Sequence, residues 1–428
     1  MRIALLSYRS KPHCGGQGVY IRHLSRELVA LGHSVEVFSG QPYPELDEGV
    51  ALTKVPSLDL YREPDPFRMV WPWEFRDLID AQEFAIMCTA GFPEPRTFGK
   101  RVLRVLRSRK DDFDIVHDNQ VLAHGVMDIE KKLDIPVLTT VHHPITFDRR
   151  VDIAAAPLRK KLSLRRWYGF LRMQGAVVRR ARWILLPSES SKVDAAHDFG
   201  ADPAKMQVIP LGVDDCFVPP TRPRVPGRLV AMASADAPMK GIATLLEAFA
   251  KLRTERDLEL LLVTRPTPGG RTEKLIEELG IGDSIRFVNG ISDAELVEVM
   301  GSAEIACVPS LYEGFSLPTA ELMACETPLV VSRAGAIPEV VGPEGLCADM
   351  VTPGDVGELA SAISALLDDP ERRERMGRAG RERAQELFSW AAVARKTAAA
   401  YEHVLADYAA HPTSTHARVK RIKQKDVN

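Results

Sequence analysis

Short apolar runs alternate with amphipathic stretches along almost the whole chain. The runs at residues 2–8, 35–39, 114–117, 136–141 and 183–187 predict strands in the first half. Those at 228–233, 258–264, 284–288, 304–309 and 328–331 predict strands in the second. Between them the apolar positions change to helical spacing. Ile21, Leu24, Leu28 and Leu31 fall at i, i+3, i+7 and i+10, a stripe that faces a core. Strands that alternate with helices pair in parallel, with helices on both faces of the sheet. The pattern restarts at Arg228, which predicts two doubly wound α/β domains rather than one very large sheet. The Pro-rich segment 219–226 reads as the hinge between them. After Asp369 the pattern is helical only, up to Tyr408, and the tail from His411 is polar and basic and reads as disordered.

Composition narrows the class. The chain has 428 residues, 45% hydrophobic and 27% charged, which is ordinary for a globular protein and excludes disordered and collagen-like classes. The net charge of −2 gives no support to a nucleic-acid partner, but it hides a split. Residues 1–212 carry 31 basic and 26 acidic groups, a net of +5, whereas residues 213–408 carry 20 and 31, a net of −11. Much of the positive charge is local: residues 149–182 hold eleven Lys/Arg against the single acid Asp152, a net of +10. Residues 59–76 place five aromatics in a Pro-broken loop. No stretch approaches the ~20 apolar residues of a membrane span, and the first apolar run is too short for a signal peptide. Six scattered cysteines without a CxxC suit free thiols in a reducing compartment, so a cytoplasmic enzyme is expected.

Two segments carry candidate chemistry on their residues alone. Cys14-Gly15-Gly16-Gln17-Gly18 lies between the first strand and a helix, where glycine backbones and a helix start favour an anion; a plain tight turn accounts for it equally well. In the segment 309–324, Glu313 and Glu321 flank a Gly-Phe-Ser turn that follows a strand and opens a helix. Glu313 then falls at a strand's carboxyl end, where doubly wound folds bind ligands, and the turn amides offer donors to phosphate. Two solvated acids near a helix start are the bland alternative, which the flanking apolar runs disfavour. His142 and His143 are adjacent in an extended segment and point opposite ways, so they do not ligate a metal together. On local grounds His142 is a satisfied buried histidine. Asp112-Phe-Asp114 has a D-x-D form, but it stands at a strand entry and reads as solvated. No HExxH, Cys cluster or GxSxG is present.

Glu313-x7-Glu321, the Gly15-Gly16 loop and Ile209-Pro-Leu-Gly-Val-Asp214 together resemble the retaining glycosyltransferases of family 4, which include bacterial mannosyl- and glucosyltransferases. The last segment resembles the family's IPNGVD interdomain signature, with Leu211 in place of Asn. The similarity extends from the first strand to Phe388-Ser-Trp390. It implies the GT-B fold: two Rossmann-like domains facing each other across a cleft. Residues 1–212 would form the acceptor-side domain, closed by a C-terminal helix at 388–408. Residues 213–387 would bind the nucleotide-sugar, and 409–428 would be the tail.

The resemblance also implies roles. Glu313 would contact hydroxyls of the donor sugar, and Glu321 those of the nucleotide's ribose. Phe315, Ser316 and Leu317 would offer backbone N–H groups, and Gly15 and Gly16 would approach the diphosphate. Lys240 matches the diphosphate-binding lysine and His142 the histidine near the sugar's reacting end. The family's arginine five or six residues before the lysine is replaced by Ser234 or Ala235, and Arg265 is the candidate substitute. The implied activity is transfer of a hexose from a GDP- or UDP-hexose donor, with retention, to a glycan, glycolipid or small molecule of the cell envelope. It requires no cofactor and no metal. The alternatives are a nucleotide-sugar epimerase of similar fold and a non-catalytic nucleotide-sugar binder. The aromatic loop and the basic segment 149–182 suggest an amphiphilic or anionic acceptor, with peripheral contact to an anionic membrane on its inner face. A solvated helix face and a packed aromatic core are the plainer account.

Overall fold

The computed structural model describes residues 1–11, 16–62, 65–142, 144–232 and 236–413. The chain divides into two compact units: Met1–Pro187, Ser191–Ile209 and Val393–Asn428 form one, and Ser188–Ser190 with Pro210–Ala392 form the other. The expected hinge at 219–226 is corrected: that segment lies inside the second unit, and the main chain crosses at Ile209–Pro210 and returns at Ala392–Val393. Prolines lack N–H donors, so such a segment must be tied down by side chains. Arg224 does this, donating to the carbonyls of Gly301 and Ala303, each at 2.9 Å, and of Glu326 at 2.7 Å.

The first unit holds a seven-stranded sheet of β1 (Arg2–Ser7), β2 (Ser34–Ser39), β3 (Ala51–Lys54), β4 (Ile115–Asn119), β5 (Val137–Thr140), β6 (Trp183–Leu186) and β7 (Met206–Val208), in the order β3-β2-β1-β4-β5-β6-β7. The second holds β8 (Val225–Met232), β9 (Glu259–Val263), β10 (Ile285–Val288), β11 (Ala303–Val308), β12 (Leu329–Ser332) and β13 (Ala348–Val351), in the order β10-β9-β8-β11-β12-β13. Every described pairing is parallel. Helices cover both faces, so β4, β5, β6, β12 and β13 are buried at every position.

Each sheet reverses its strand order once, between β1 and β4 and between β8 and β11, and it is at the carboxyl ends of such a switch point that doubly wound folds bind ligands. The long closing helix Trp390–Ala410 sends buried Tyr401 to His117, hydroxyl to Nδ1 at 2.6 Å, and Tyr408 to Asp134 at 2.7 Å. Among the described residues no helix is long and apolar enough to cross a membrane. Of the basic tail, residues 414–428 lie outside the described residues.

Candidate active site

Strand β11 feeds a loop at 309–316 and then the helix Leu317–Ala324. Ser316, the residue before that helix, has φ +78°, a left-handed conformation that a non-glycine residue rarely adopts. Its hydroxyl lies 2.7 Å from that of Thr319. The turn leaves the N–H groups of Phe315, Ser316 and Leu317 without an acceptor among the described residues. Three adjacent unpaired donors at a helix start favour an anionic oxygen.

Beside this loop, β8 leads through Asp236 to a short turn at Pro238–Lys240 and on into the helix Ile242–Arg253. Because β8 and β11 are neighbours at the switch point, both loops leave the same sheet edge, which brings Lys240 to Glu313. Lys240 Nζ donates to Glu313 Oε1 at 2.7 Å, and the Ser310 hydroxyl donates to the same oxygen at 2.8 Å. Two glycines hold the Glu313 backbone in place. A Cβ on Gly241 (φ +64°) would lie 1.9 Å from the Pro309 carbonyl oxygen, and the Leu311 N–H donates to the Met239 carbonyl at 2.8 Å. From the other side, a Cβ on Gly335 (φ +52°) would lie 2.2 Å from the Glu313 carbonyl oxygen, which accepts from the Ala336 N–H at 2.9 Å. Substitution at either glycine would force the Glu313 loop to move.

Glu321 sits in the second turn of the helix Leu317–Ala324. Its carboxylate accepts no hydrogen bond among the described residues, and burial, helped by nearby Asp293, pushes its pKa up to about 7. Arg265 follows β9 at its carboxyl end and is exposed, and no acid pairs with it among the described residues. Asp236 instead organises that loop, accepting from the N–H groups of Thr267 and Thr272 at 3.2 and 3.1 Å. The departure at Ser234 and Ala235 lies outside the described residues.

His142 and the glycine-rich loop belong to the other unit. Gly15 lies outside the described residues, as does His143, and Gly16 opens the helix Gly16–Ala30. His142 lies two residues beyond the end of β5. Its Nε2 is 2.6 Å from Asn119 Oδ1, and its backbone N–H donates to Gln120 Oε1 at 2.7 Å. The ring of Tyr20 meets that of His142 edge-on at 4.8 Å. His117, deeper in β4, is bonded to Thr140 and Tyr401, and burial pushes its pKa down to about 3, so it is neutral.

Residues 14–216 match the family model described as Glycosyltransferase Family 4, and residues 220–383 match that described as Glycosyl transferases group 1. The chain is 58% identical over 411 residues to MMP alpha-(1->4)-mannosyltransferase of Mycolicibacterium hassiacum, covering 96% of this chain and 100% of that protein. The chain belongs to glycosyltransferase family 4. Two solved structures share the fold: sucrose-phosphate synthase of Thermosynechococcus elongatus (TM-score 0.70, 23% identity, 95% of this chain and 99% of that one) and Anabaena Alr3699/HepE in complex with UDP (TM-score 0.65, 16% identity, 94% and 100%).

This glycosyltransferase is a retaining, nucleotide-sugar-dependent hexosyltransferase with the GT-B fold. None of these findings supports the epimerase or binder alternatives. Four residues of the transferase escape a reading of its sequence: Ser310, Gly241, Gly335 and Asn119. The glycines carry no local mark of the close approaches they allow. Asn119 did carry a signal. His117-Asp-Asn-Gln120 is a polar run at the end of an apolar strand, and all four are buried, none more than 3% exposed. Polar groups at that depth require specific partners. The discounted Asp112 and Asp114 pair with Arg109 and Arg2, so they are structural.

Proposed function

We propose that this family 4 enzyme is an α-(1→4)-mannosyltransferase that takes mannose from a nucleotide-diphosphate mannose, GDP- or UDP-linked, and adds it to a carbohydrate acceptor. The observation that carries the reading is the 58% identity, over 96% of the chain, to a protein whose name states that sugar and linkage. In this reading Lys240 and the N–H groups of Phe315, Ser316 and Leu317 hold the diphosphate, together with the Gly15–Gly16 loop. Glu313 takes the sugar hydroxyls, Glu321 the ribose hydroxyls, and His142 lies beside the reacting carbon. Arg265 is the exposed cation that replaces the family arginine. The bond from the anomeric carbon to the diphosphate breaks as the acceptor oxygen bonds on the same face. The acceptor's proton passes to the departing diphosphate, whose growing charge is met by Lys240 and the turn amides. The test is a donor panel: the purified chain, an α-(1→4)-mannose oligosaccharide, and GDP- or UDP-linked mannose or glucose. Extension by one hexose with a mannose donor alone is expected. Extension by glucose donors and not by mannose donors would overturn the assignment.

A second reading, peripheral contact with an anionic membrane surface, has its own support. The helix Leu158–Trp167 buries none of its residues. It exposes Leu158 (84%) and Leu162 (74%) among Arg159, Lys160, Lys161, Arg165 and Arg166, with no acid. Its Trp167 packs against Tyr61, Phe67 and Phe92, which joins it to the aromatic loop. That loop holds Trp71 and Trp73 stacked at 5.1 Å and exposed. Apolar tips among cations suit the interface of an anionic bilayer.

A further inference from the structure

We infer that Asn119 is a positioning residue: it holds His142 in one tautomer and one orientation and links it to the helix that follows the glycine-rich loop. The inference rests on the proposed placement of His142 beside the donor sugar and adds what makes that imidazole usable there.

The carboxamide of Asn119 is oriented by its two neighbours. Its Nδ2 faces the backbone carbonyl of Gln17, in the first turn of the helix Gly16–Ala30, at 3.5 Å, so its Oδ1 faces His142 Nε2 at 2.6 Å. An oxygen accepts and does not donate. His142 must therefore carry a proton on Nε2, and in the neutral ring Nδ1 is then the lone-pair nitrogen. The backbone of His142 is held separately, through its N–H to Gln120 Oε1 at 2.7 Å.

The loop that presents both amides is costly to build and therefore unlike a chance turn. Gln120 and Leu122 have φ +55° and +52°, left-handed conformations for residues that are not glycine. The buried Asp118 holds the turn, accepting from the N–H groups of Val121 at 2.9 Å and Leu122 at 3.1 Å. Strained backbone over-determined by buried hydrogen bonds is characteristic of sites where side-chain placement matters. A purely structural polar pair would not need the histidine's main chain and ring to be gripped by consecutive residues.

The test has two readouts. In the wild-type enzyme, nitrogen-15 shifts of the His142 ring should show Nε2 protonated and Nδ1 unprotonated at pH 8. A protonated Nδ1 would overturn the inference whatever the variants do. Asn119→Leu removes the acceptor at similar volume. It should lower kcat about 10–100-fold, in the range expected when a partner that orients a functional histidine is lost, and leave the donor KM within about threefold. Asn119→Asp keeps an acceptor oxygen and should restore most of kcat. Where His142→Ala lowers kcat, equal kcat in wild type and Asn119→Leu would contradict the inference. If His142→Ala itself left kcat unchanged while the wild-type tautomer was as stated, the placement of His142 beside the sugar would fail and the positioning role of Asn119 would stand.

Discussion

Lys240 Nζ and Glu313 Oε1 lie 2.7 Å apart although the two residues are 73 positions apart in the chain. One is the proposed diphosphate contact and the other the proposed sugar contact, and the two charges neutralise each other. Lys240→Met should lower kcat by about 10²–10³, the usual cost of losing one preorganised charge-stabilising donor. Its side chain is 31% exposed, so the melting temperature should change little. Steady-state kinetics with a melting curve checks this; a variant with unchanged kcat would remove Lys240 from the donor site.

Glu321 gives a pH dependence with a definite sign. Its pKa is raised from 4.5 to about 7, so ionising it opposes folding: the penalty is absent below about pH 4.5 and complete above about pH 7. Glu321→Gln should therefore be more stable than wild type at pH 8, and the advantage should vanish at pH 4.5. If ribose hydroxyls donate to the carboxylate, wild-type affinity for the nucleotide-sugar should rise up to about tenfold from pH 6 to 8, and affinity in the variant should stay flat. Calorimetric titration at both values decides it. An identical slope in the two proteins would dissociate Glu321 from the ribose.

The glycines are as consequential as the charged groups. Gly241→Ala places a methyl 1.9 Å from the Pro309 carbonyl at a positive φ, and Gly335→Ala places one 2.2 Å from that of Glu313. Each should cost about 1–3 kcal/mol of stability, or shift the loop and abolish transfer. Denaturant melts paired with activity should find a loss in at least one of the two. Wild-type values in both measurements would mean the loop is more compliant than its contacts imply.

For the membrane reading, Leu158→Ser/Leu162→Ser and Trp71→Ala/Trp73→Ala should each reduce flotation of the protein with vesicles containing anionic lipid, and leave its melting curve near wild type because these side chains are exposed. Wild-type protein that does not float with such vesicles would end this reading.

Much of this was legible in the chain. The ten predicted strands are all present within a few residues, because buried parallel strands are continuous apolar runs. Three strands lacked that signature. β3 is a short edge strand with no fully buried position, β7 has three residues, and β13 contains Asp349, buried against Arg372. The predicted stripe failed at Leu31, which is 41% exposed just past a helix that ends at Ala30. Motif residues with chemical side chains stand out in the sequence because their type announces them. The proximity of Lys240 to Glu313 does not, because it depends on strand order at the β8/β11 switch point. Asn119 was missed for the same reason: its partner is on the neighbouring strand, and spacing along one chain does not encode which strands are neighbours.

The most direct test of the whole account is the structure of the product. Proton NMR of the oligosaccharide formed from a nucleotide-α-D-mannose should show one new mannose, α-configured and attached through the acceptor's 4-hydroxyl. A β-configured mannose, or release of free mannose with no extended acceptor, would contradict it.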